Sequence, residues 1–554
     1  MVSVLKAESG SQSTVGDVIA ELLEAQGVTA AFGVISIHNM AILDAIGRRG
    51  AIHFVPSRGE AGGLNMADGY ARVAEDIGVA FTSTGTAAGN AAGALVEALT
   101  AGSPVIHITG QIETSYLDQS RAYIHEAPAQ LEMLQAVSKA AYRISCPEQV
   151  VEVFEAAFRD ALTPPTGPVS VEIPIDVQAA PLSRARKFER VRAVAPALDE
   201  RDVAAVSDAL IRARRPMLML GGGARHARKA ATRLADMGIG IVTSTNGRAV
   251  VDESHEMSLG AFNVSEHLQE LYKRVDLLIV AGSRLRSNET WTYELELPAN
   301  LIRVDVDPKA NGRNYPNARF VHADCQSFLE ALADRIAGKL QAAPEFAEEI
   351  ASVRERSVHD LATSLGPYAD LVRILQSEMP PDSVWVRDVT ISNSMWGNRW
   401  LRISSPNKGI HAVGGGIGQG LPMAVGAAVA AGSKVLLLTG DGGLSLCLGE
   451  LITAAEQGGD LTVLLMNDRG YGVIRNIQDV HYGGRKLYSN ILTPNFSDIC
   501  RSLAIPHRVA STAEGFRTAL EVSLGHRGLS VVEVDMLAIG PFRRNFAGPP
   551  IRAQ

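Results

Sequence analysis

The sequence predicts an α/β protein built from three doubly wound parallel-sheet domains, and three observations carry that prediction. Short apolar strands alternate with Gly/Ala-rich or amphipathic helices along residues 13–182, as in a parallel sheet covered on both faces. The alternation resumes near residue 200 and again near 384, after stretches in which charged residues replace the apolar periodicity. A chain of 554 residues also exceeds what one hydrophobic core holds. The domain boundaries that follow are 1–182, 195–342 and 360–554.

In the first block, Thr14 precedes a helix with apolar positions Val18, Ile19, Leu22 and Leu23, and Gly27 closes it. Strands are expected at 31–34, 52–55, 78–81, 104–108 and 168–173, helices at 61–71 and 87–98, and a loop at His38 and Asn39. Basic residues crowd 184–192, the first linker. In the second block the strands are 216–220, 239–242, 276–280 and 301–306. The first of these runs into Gly221, Gly222 and Gly223, and the third into Gly282, Ser283 and Arg284. A charged helical connection over 344–360 leads to the third block, with strands at 384–387, 435–438, 461–466 and 530–534 and one helical segment over 444–457. The tail, 540–554, carries three prolines, three arginines and no periodicity, and reads as a lid or a disordered end. The first and third blocks look like copies of one architecture, although their residues do not match.

Composition narrows the partners. A net charge of −8 leaves no basic excess to neutralise phosphates, which argues against nucleic acid. Hydrophobic residues at 46% and charged residues at 20% fit a globular protein. No apolar run reaches about 18 residues, so no membrane span is expected. Cys146, Cys325, Cys447 and Cys500 lie far apart, as reduced thiols do, and the first residues have no apolar stretch of signal length. A cytoplasmic protein is the expectation.

The third block carries the most chemistry. Gly440, Asp441, Gly442 and Gly443 break the strand that ends at Leu438, and Asn467 and Asp468 end the strand at 461–466. In a parallel sheet those carboxyl ends lie side by side on the edge where ligands bind. Two hard oxygen donors beside a glycine turn that opens a helix suit Mg²⁺ carrying a diphosphate, because bare glycines let backbone N–H groups approach phosphate oxygens. An ordinary strand-to-helix turn also carries Gly-Asp-Gly. In the first block Glu60 follows a strand at a helix start, where a carboxylate complements the helix dipole, and capping alone would account for it.

Taken together, the motifs resemble the thiamine-diphosphate family of acetolactate synthases, pyruvate oxidases and pyruvate decarboxylases, over nearly the whole chain. Gly-Asp-Gly at 440–442 with Asn467 and Asp468 is similar to that family's metal signature, which usually ends in Asn-Asn; Asp468 keeps an oxygen ligand and adds a charge. Arg58, Glu60 and the run Ala67, Asp68, Gly69, Tyr70, Ala71, Arg72 resemble its pyrimidine-domain signature. Residues 83–90 resemble another segment, with Thr86 where Pro is usual, and 103–111 a strand and loop ending in Gln111. The resemblance implies a pyrimidine-binding first domain, a Rossmann-like middle domain and a diphosphate-binding third domain. It implies that Glu60 hydrogen-bonds the aminopyrimidine N1′, whose 4′-imino nitrogen then removes the C2 proton. Gln111 would face the thiazolium, the Gly415 carbonyl would accept from the 4′-amino group, and Ile417 would wedge between the two rings. Asp441, Asp468 and the Gly470 carbonyl would ligate Mg²⁺. Thr390, Ser392 and Asn393 would bind the diphosphate beside Gly440, Gly442, Gly443 and Tyr471. Relatives assemble the site between subunits, so a homodimer or homotetramer is implied.

The activity implied is decarboxylation of a 2-oxo acid, carboligation to a carbonyl acceptor, or both. The alternatives are a lyase acting on 2-hydroxy ketones and a flavin-linked 2-oxo acid oxidase. A nicotinamide dehydrogenase is disfavoured, since no Gly-x-Gly-x-x-Gly with a following ribose-binding acid is present. Specificity is expected from 36–38, Gln111, His125, Glu126 and 471–477. Ile477 stands where acetolactate synthases carry a Trp, and the adjacent His pair of pyruvate decarboxylases is absent. His38 is a candidate proton donor, or a plain loop histidine. Arg475 would pair a substrate carboxylate or lie exposed on a helix. The middle domain has strand-end glycines and Asp305 and Asp307 where FAD could lie, but lacks the arginine pattern of a flavin site; the expectation leans against FAD and leaves it open.

Overall fold

The computed structural model describes residues 13–182 and 188–548. The expectations placed on residues 1–12, on 183–187 within the first linker and on 549–554 of the tail lie outside the described residues. The chain divides into two compact units.

The first unit takes residues up to Val194 together with Val413–Ala430 and Cys447–Gln457. Its sheet has six strands: β1 Ala30–Gly33, β2 His53–Pro56, β3 Gly78–Thr82, β4 Val105–Gln111, β5 Ala140–Arg143 and β6 Val169–Pro174. All pair parallel in the order β2-β1-β3-β4-β6-β5. The inner strands β1, β3, β4 and β6 are buried at every position, which is why they read as apolar runs. Helix Val15–Gln26 begins with a reciprocal cap between Thr14 and Asp17 and ends on Gly27 at φ 92°. Its buried face joins Phe81, Phe154 and Phe158 in the core on one side of the sheet.

Helix Glu60–Ala74 packs against helix Gly420–Ala430, from a distant part of the chain. Their contact depends on two bare α-carbons. A Cβ on Gly69 would stand 2.2 Å from the Met423 carbonyl oxygen, and one on Gly426 would stand 1.9 Å from that of Met66. No side chain fits at either position without parting the helices.

The second unit takes Ala195–Ala412, Ala431–Leu446 and the chain from Gly458 onward, and holds two sheets. The smaller comprises β7 Pro216–Leu220, β8 Gly240–Thr243, β9 Leu277–Ala281, β10 Leu301–Asp305 and β11 Arg319–His322, in the parallel order β11-β10-β9-β7-β8. The larger comprises β12 Val384–Arg387, β13 Gly409–His411, β14 Val435–Gly440, β15 Leu461–Asn467, β16 His507–Ala510 and β17 Ser530–Asp535. Its parallel order, β13-β12-β14-β15-β17-β16, repeats that of the first sheet strand for strand. The likeness expected between the first and third blocks is therefore one of topology.

Two expectations change. The single helix over 444–457 is two helices, Asp441–Leu446 and Glu450–Gln457, divided between the units. The chain breaks between them because Glu450 turns to meet the backbone of Arg58, and Gly449 lies against the Arg58 side chain. The tail, as far as 548, is irregular but packed. Phe542 stacks on Tyr368 with ring centroids 4.1 Å apart, the Tyr368 hydroxyl donates to the Gly540 carbonyl at 2.8 Å, and the N–H of Phe546 donates to Asn476 Oδ1 at 3.1 Å. Among the described residues no helix is long and apolar enough to cross a membrane.

Candidate active site

In a parallel sheet of this order, strand connections leave in opposite directions from the two neighbours β12 and β14, opening a crevice at their carboxyl ends. Gly440, the last residue of β14, lies beside Thr390, whose hydroxyl would be 3.1 Å from any Cβ there. Asp441 follows, almost fully buried, as the first residue of its helix. Its carboxylate accepts the N–H of Gly470 at 2.8 Å and that of Asp468 at 3.3 Å. Burial, reinforced by the neighbouring Asp468 charge, pushes Asp441 up to about 6. Asp468 is raised by burial too, with Arg475 pulling the other way. The two carboxylates therefore share one small, poorly solvated volume.

Glycines make room for them. A Cβ on Gly472 would lie 1.8 Å from Asp468 Oδ2, and one on Gly442 would lie 2.8 Å from the Tyr471 ring. After β12, Ser392 and Asn393 open the turn Asn393–Gly397, and Ser392 Oγ and Asn393 Oδ1 are buried with no hydrogen-bond partner among the described residues. Buried polar atoms left unpaired beside a crevice mark a place where a polar ligand completes the bonding. No group of three metal-ligating side chains occurs among the described residues. The set fits a hard divalent ion that takes two carboxylates, a backbone carbonyl and oxygens brought by its ligand.

The other expected residues lie in the first unit. Glu60 is the first residue of its helix, and its Oε2 accepts from Asn90 Nδ2 at 3.2 Å. Gln111, buried at the end of β4, accepts the Thr84 hydroxyl at 3.1 Å and the Ile112 N–H at 2.8 Å. His38 is also buried; its Nδ1 lies 3.2 Å from Ser83 Oγ, and its ring meets that of His125 edge-on with centroids 5.0 Å apart. Burial first, then the His125 charge, holds His38 below the usual histidine range, with Glu113 opposing. Gly415 has φ 86° with open space where a Cβ would be, and Ile417 stands exposed two residues on. The set is thus gathered in two places: Glu60, Gln111, His38, Gly415 and Ile417 in the first unit; Thr390, Ser392, Asn393, Gly440 to Gly443, Asp468, Gly470 and Tyr471 in the second.

Sequence reasoning missed Glu450. This buried carboxylate accepts the Arg58 N–H at 3.1 Å and the Thr453 hydroxyl at 2.7 Å, and it sits where a Cβ on Gly62 would be 2.0 Å away. It braces the start of the helix that presents Glu60, and no local pattern announces that. Asn90 was visible only as part of a motif, without its bond to Glu60. Arg475 neither lies exposed nor points to a free carboxylate: it is largely covered and pairs with Asp468 Oδ2 at 2.8 Å and with the Asp468 carbonyl at 2.7 Å. In the smaller sheet, Gly221, Gly223 and Gly282 are accounted for by packing, since a Cβ on Gly221 would meet the Gly282 carbonyl oxygen at 2.2 Å and one on Gly223 the Gly282 Cα at 2.9 Å.

Comparison with known proteins accords with this geometry. Residues 13–133 match the N-terminal TPP-binding domain of thiamine pyrophosphate enzymes, 203–332 their central domain and 391–534 their C-terminal TPP-binding domain. The chain is 29% identical over 546 residues to a probable 2-ketoarginine decarboxylase of Pseudomonas aeruginosa, covering 96% of this chain and 95% of that protein. It is 28% identical to the acetolactate synthase isozyme 1 large subunit of Escherichia coli, over 86% of each chain. With a probable acetolactate synthase large subunit of Methanocaldococcus jannaschii it shares 26%, over 88% of this chain and 86% of that protein. Three domains in family order, spread along a chain whose first and last sheets share one topology, place it plainly: the chain belongs to the thiamine pyrophosphate enzyme family.

Proposed function

We propose that this enzyme decarboxylates a 2-oxo acid, with thiamine diphosphate and Mg²⁺ as cofactors, and delivers the product either to a proton or to a carbonyl acceptor. The observation that carries the reading is the pair Asp441 and Asp468 at the carboxyl ends of β14 and β15, beside the unpaired Ser392 and Asn393. When bound, thiamine diphosphate supplies a carbanion that adds to the substrate carbonyl and accepts the electrons released with CO₂. The protein's part is to bind and orient. Asp441, Asp468 and the Gly470 carbonyl hold the metal, and Thr390, Ser392 and Asn393, with the bare backbone at Gly440, Gly442 and Gly443, take the diphosphate. Tyr471 closes the wall beside Gly442. Glu60, oriented by Asn90, would hydrogen-bond the pyrimidine N1′, and the Gly415 carbonyl, Ile417 and Gln111 would make the further contacts to the cofactor's ring portion.

His38 and His125 favour the proton as acceptor. The two imidazoles meet edge-on, and burial lowers the pKa of His38, which makes its protonated form the stronger proton donor. The relative named for decarboxylation of 2-ketoarginine makes long 2-oxo acids the first substrates to try. A panel of 2-oxo acids, from pyruvate to 2-ketoarginine, is scored for CO₂ and for carboligation products, with and without thiamine diphosphate and Mg²⁺. CO₂ release that needs both cofactors supports the reading; release indifferent to them, or none across the panel, counts against it. Self-association as a homodimer or homotetramer with shared sites belongs to the same reading and rests on the family resemblance. Sedimentation velocity that finds only monomer under assay conditions would remove that part.

A further inference from the structure

The run Asp68 to Arg72, a signature in the sequence, has no place in the chemistry above, yet its charged residues lie at the centre of a buried network. Arg72 Nε donates to Asp68 Oδ1 at 2.8 Å and to Ser103 Oγ at 3.1 Å, and its Nη2 bonds Asp68 Oδ2 and reaches Glu97 Oε1 at 3.0 Å. Asp68, Glu97 and Ser103 are each no more than 1% exposed and Arg72 is 7% exposed. Two carboxylates and one guanidinium leave one negative charge unmatched, and a buried charge needs strong donors. Those donors are backbone groups of the segment that carries Gly415 and Ile417. The N–H of Val413 meets Glu97 Oε1 at 2.6 Å, and that of Gly414 meets Glu97 Oε2 at 2.6 Å. A Cβ on Gly414 would lie 2.7 Å from Glu97 Oε2, so a side chain there must displace the carboxylate.

We infer that Glu97 is a positioning residue for the cofactor. Held by Arg72, its carboxylate fixes the backbone at 413–414 and so sets where the Gly415 carbonyl and the Ile417 side chain stand, an inference that rests on the proposed function. A bidentate carboxylate across two consecutive N–H groups fixes both the place and the direction of that backbone. The next residue, Gly415, then turns through φ 86° into open space.

Glu97→Gln tests this, because an amide sets an N–H donor against one of the two backbone N–H groups and removes the charge that matches Arg72. Gly414→Ala tests it from the other side, because its methyl presses on Glu97 Oε2 while the charges of Glu97 and Arg72 are kept; should E97Q not fold, G414A carries the comparison. Three quantities are read: the thiamine diphosphate concentration for half-saturation, the rate of C2 proton exchange at saturation by NMR, and the melting temperature without cofactor. Each variant is expected to raise the half-saturating concentration at least tenfold and to slow exchange at saturation at least tenfold. A residue that only supports the fold would lower the melting temperature and leave saturated exchange unchanged. Exchange within twofold of wild type in the folded variants overturns the inference alone. Wild-type protein that fails to bind thiamine diphosphate overturns it together with the proposed function.

Discussion

Glu60 and Asn90 show what a residue pair adds to a motif. A carboxylate at a helix start would serve as a cap whatever the protein did, but this one accepts a side-chain amide from the next helix and so has a set direction. Glu60→Gln is expected to slow C2 proton exchange by about 100-fold or more, the scale of a lost acid–base partner; exchange at the wild-type rate by NMR would remove Glu60 from its role. Asp441 and Asp468 were legible because each ends an apolar strand within one short stretch. Glu97 and Glu450 were not, because the backbone groups they hold lie hundreds of residues away and a lone buried glutamate has no local signature. His107 makes a different kind of statement. Fully buried between Thr82 and Ser170, it is pushed down to about 4 by burial. The unfolded chain takes up that proton near pH 6.5 and the folded one only near 4, so stability falls as the pH drops through that window, by about 3 kcal/mol from this residue. Urea unfolding at stepped pH should show the loss in wild type and a smaller one in His107→Gln.

Among elements, the strands that sequence reasoning missed are β5, β11, β13 and β16, and each is at the edge of its sheet. An edge strand pairs on one side only and is partly covered, so β11 and β16 admit Arg319, His322, His507 and Arg508, and no apolar run forms. The inner strands need burial on both faces and announce themselves. The helix break at 447–449 escaped for a related reason: apolar periodicity continues through it, and only the tertiary demand of Glu450 for the Arg58 backbone interrupts it. Between helices Glu60–Ala74 and Gly420–Ala430 the controlling residues are again glycines. Gly69→Ala would place a methyl 2.2 Å from the Met423 carbonyl oxygen. It is expected to cost about 1–3 kcal/mol, as overpacking does, and to lower the urea midpoint; an unchanged midpoint would mean the helices slide apart at no cost.

Over the whole molecule, the fold class and the repeated topology were legible from alternating strands and helices. The division into two units was not, because periodicity assigns residues to helices without saying which sheet a helix covers. Helices Gly420–Ala430 and Glu450–Gln457 lie in sequence among the strands of the last sheet, yet belong to the unit of the first. That arrangement has a consequence for synthesis. A chain leaving the ribosome has all six strands of its first sheet by residue 174, while the helix that covers Gly69 and the carboxylate that braces Arg58 arrive only with residues 420–450. Domains generally fold as units as they emerge; here the first must wait for most of the chain. A fragment ending at residue 194 is expected to expose the helix bearing Glu60, to bind a hydrophobic dye and to be cut there by protease, whereas the full chain resists. A compact, resistant fragment would show instead that the late helices dock onto a finished domain.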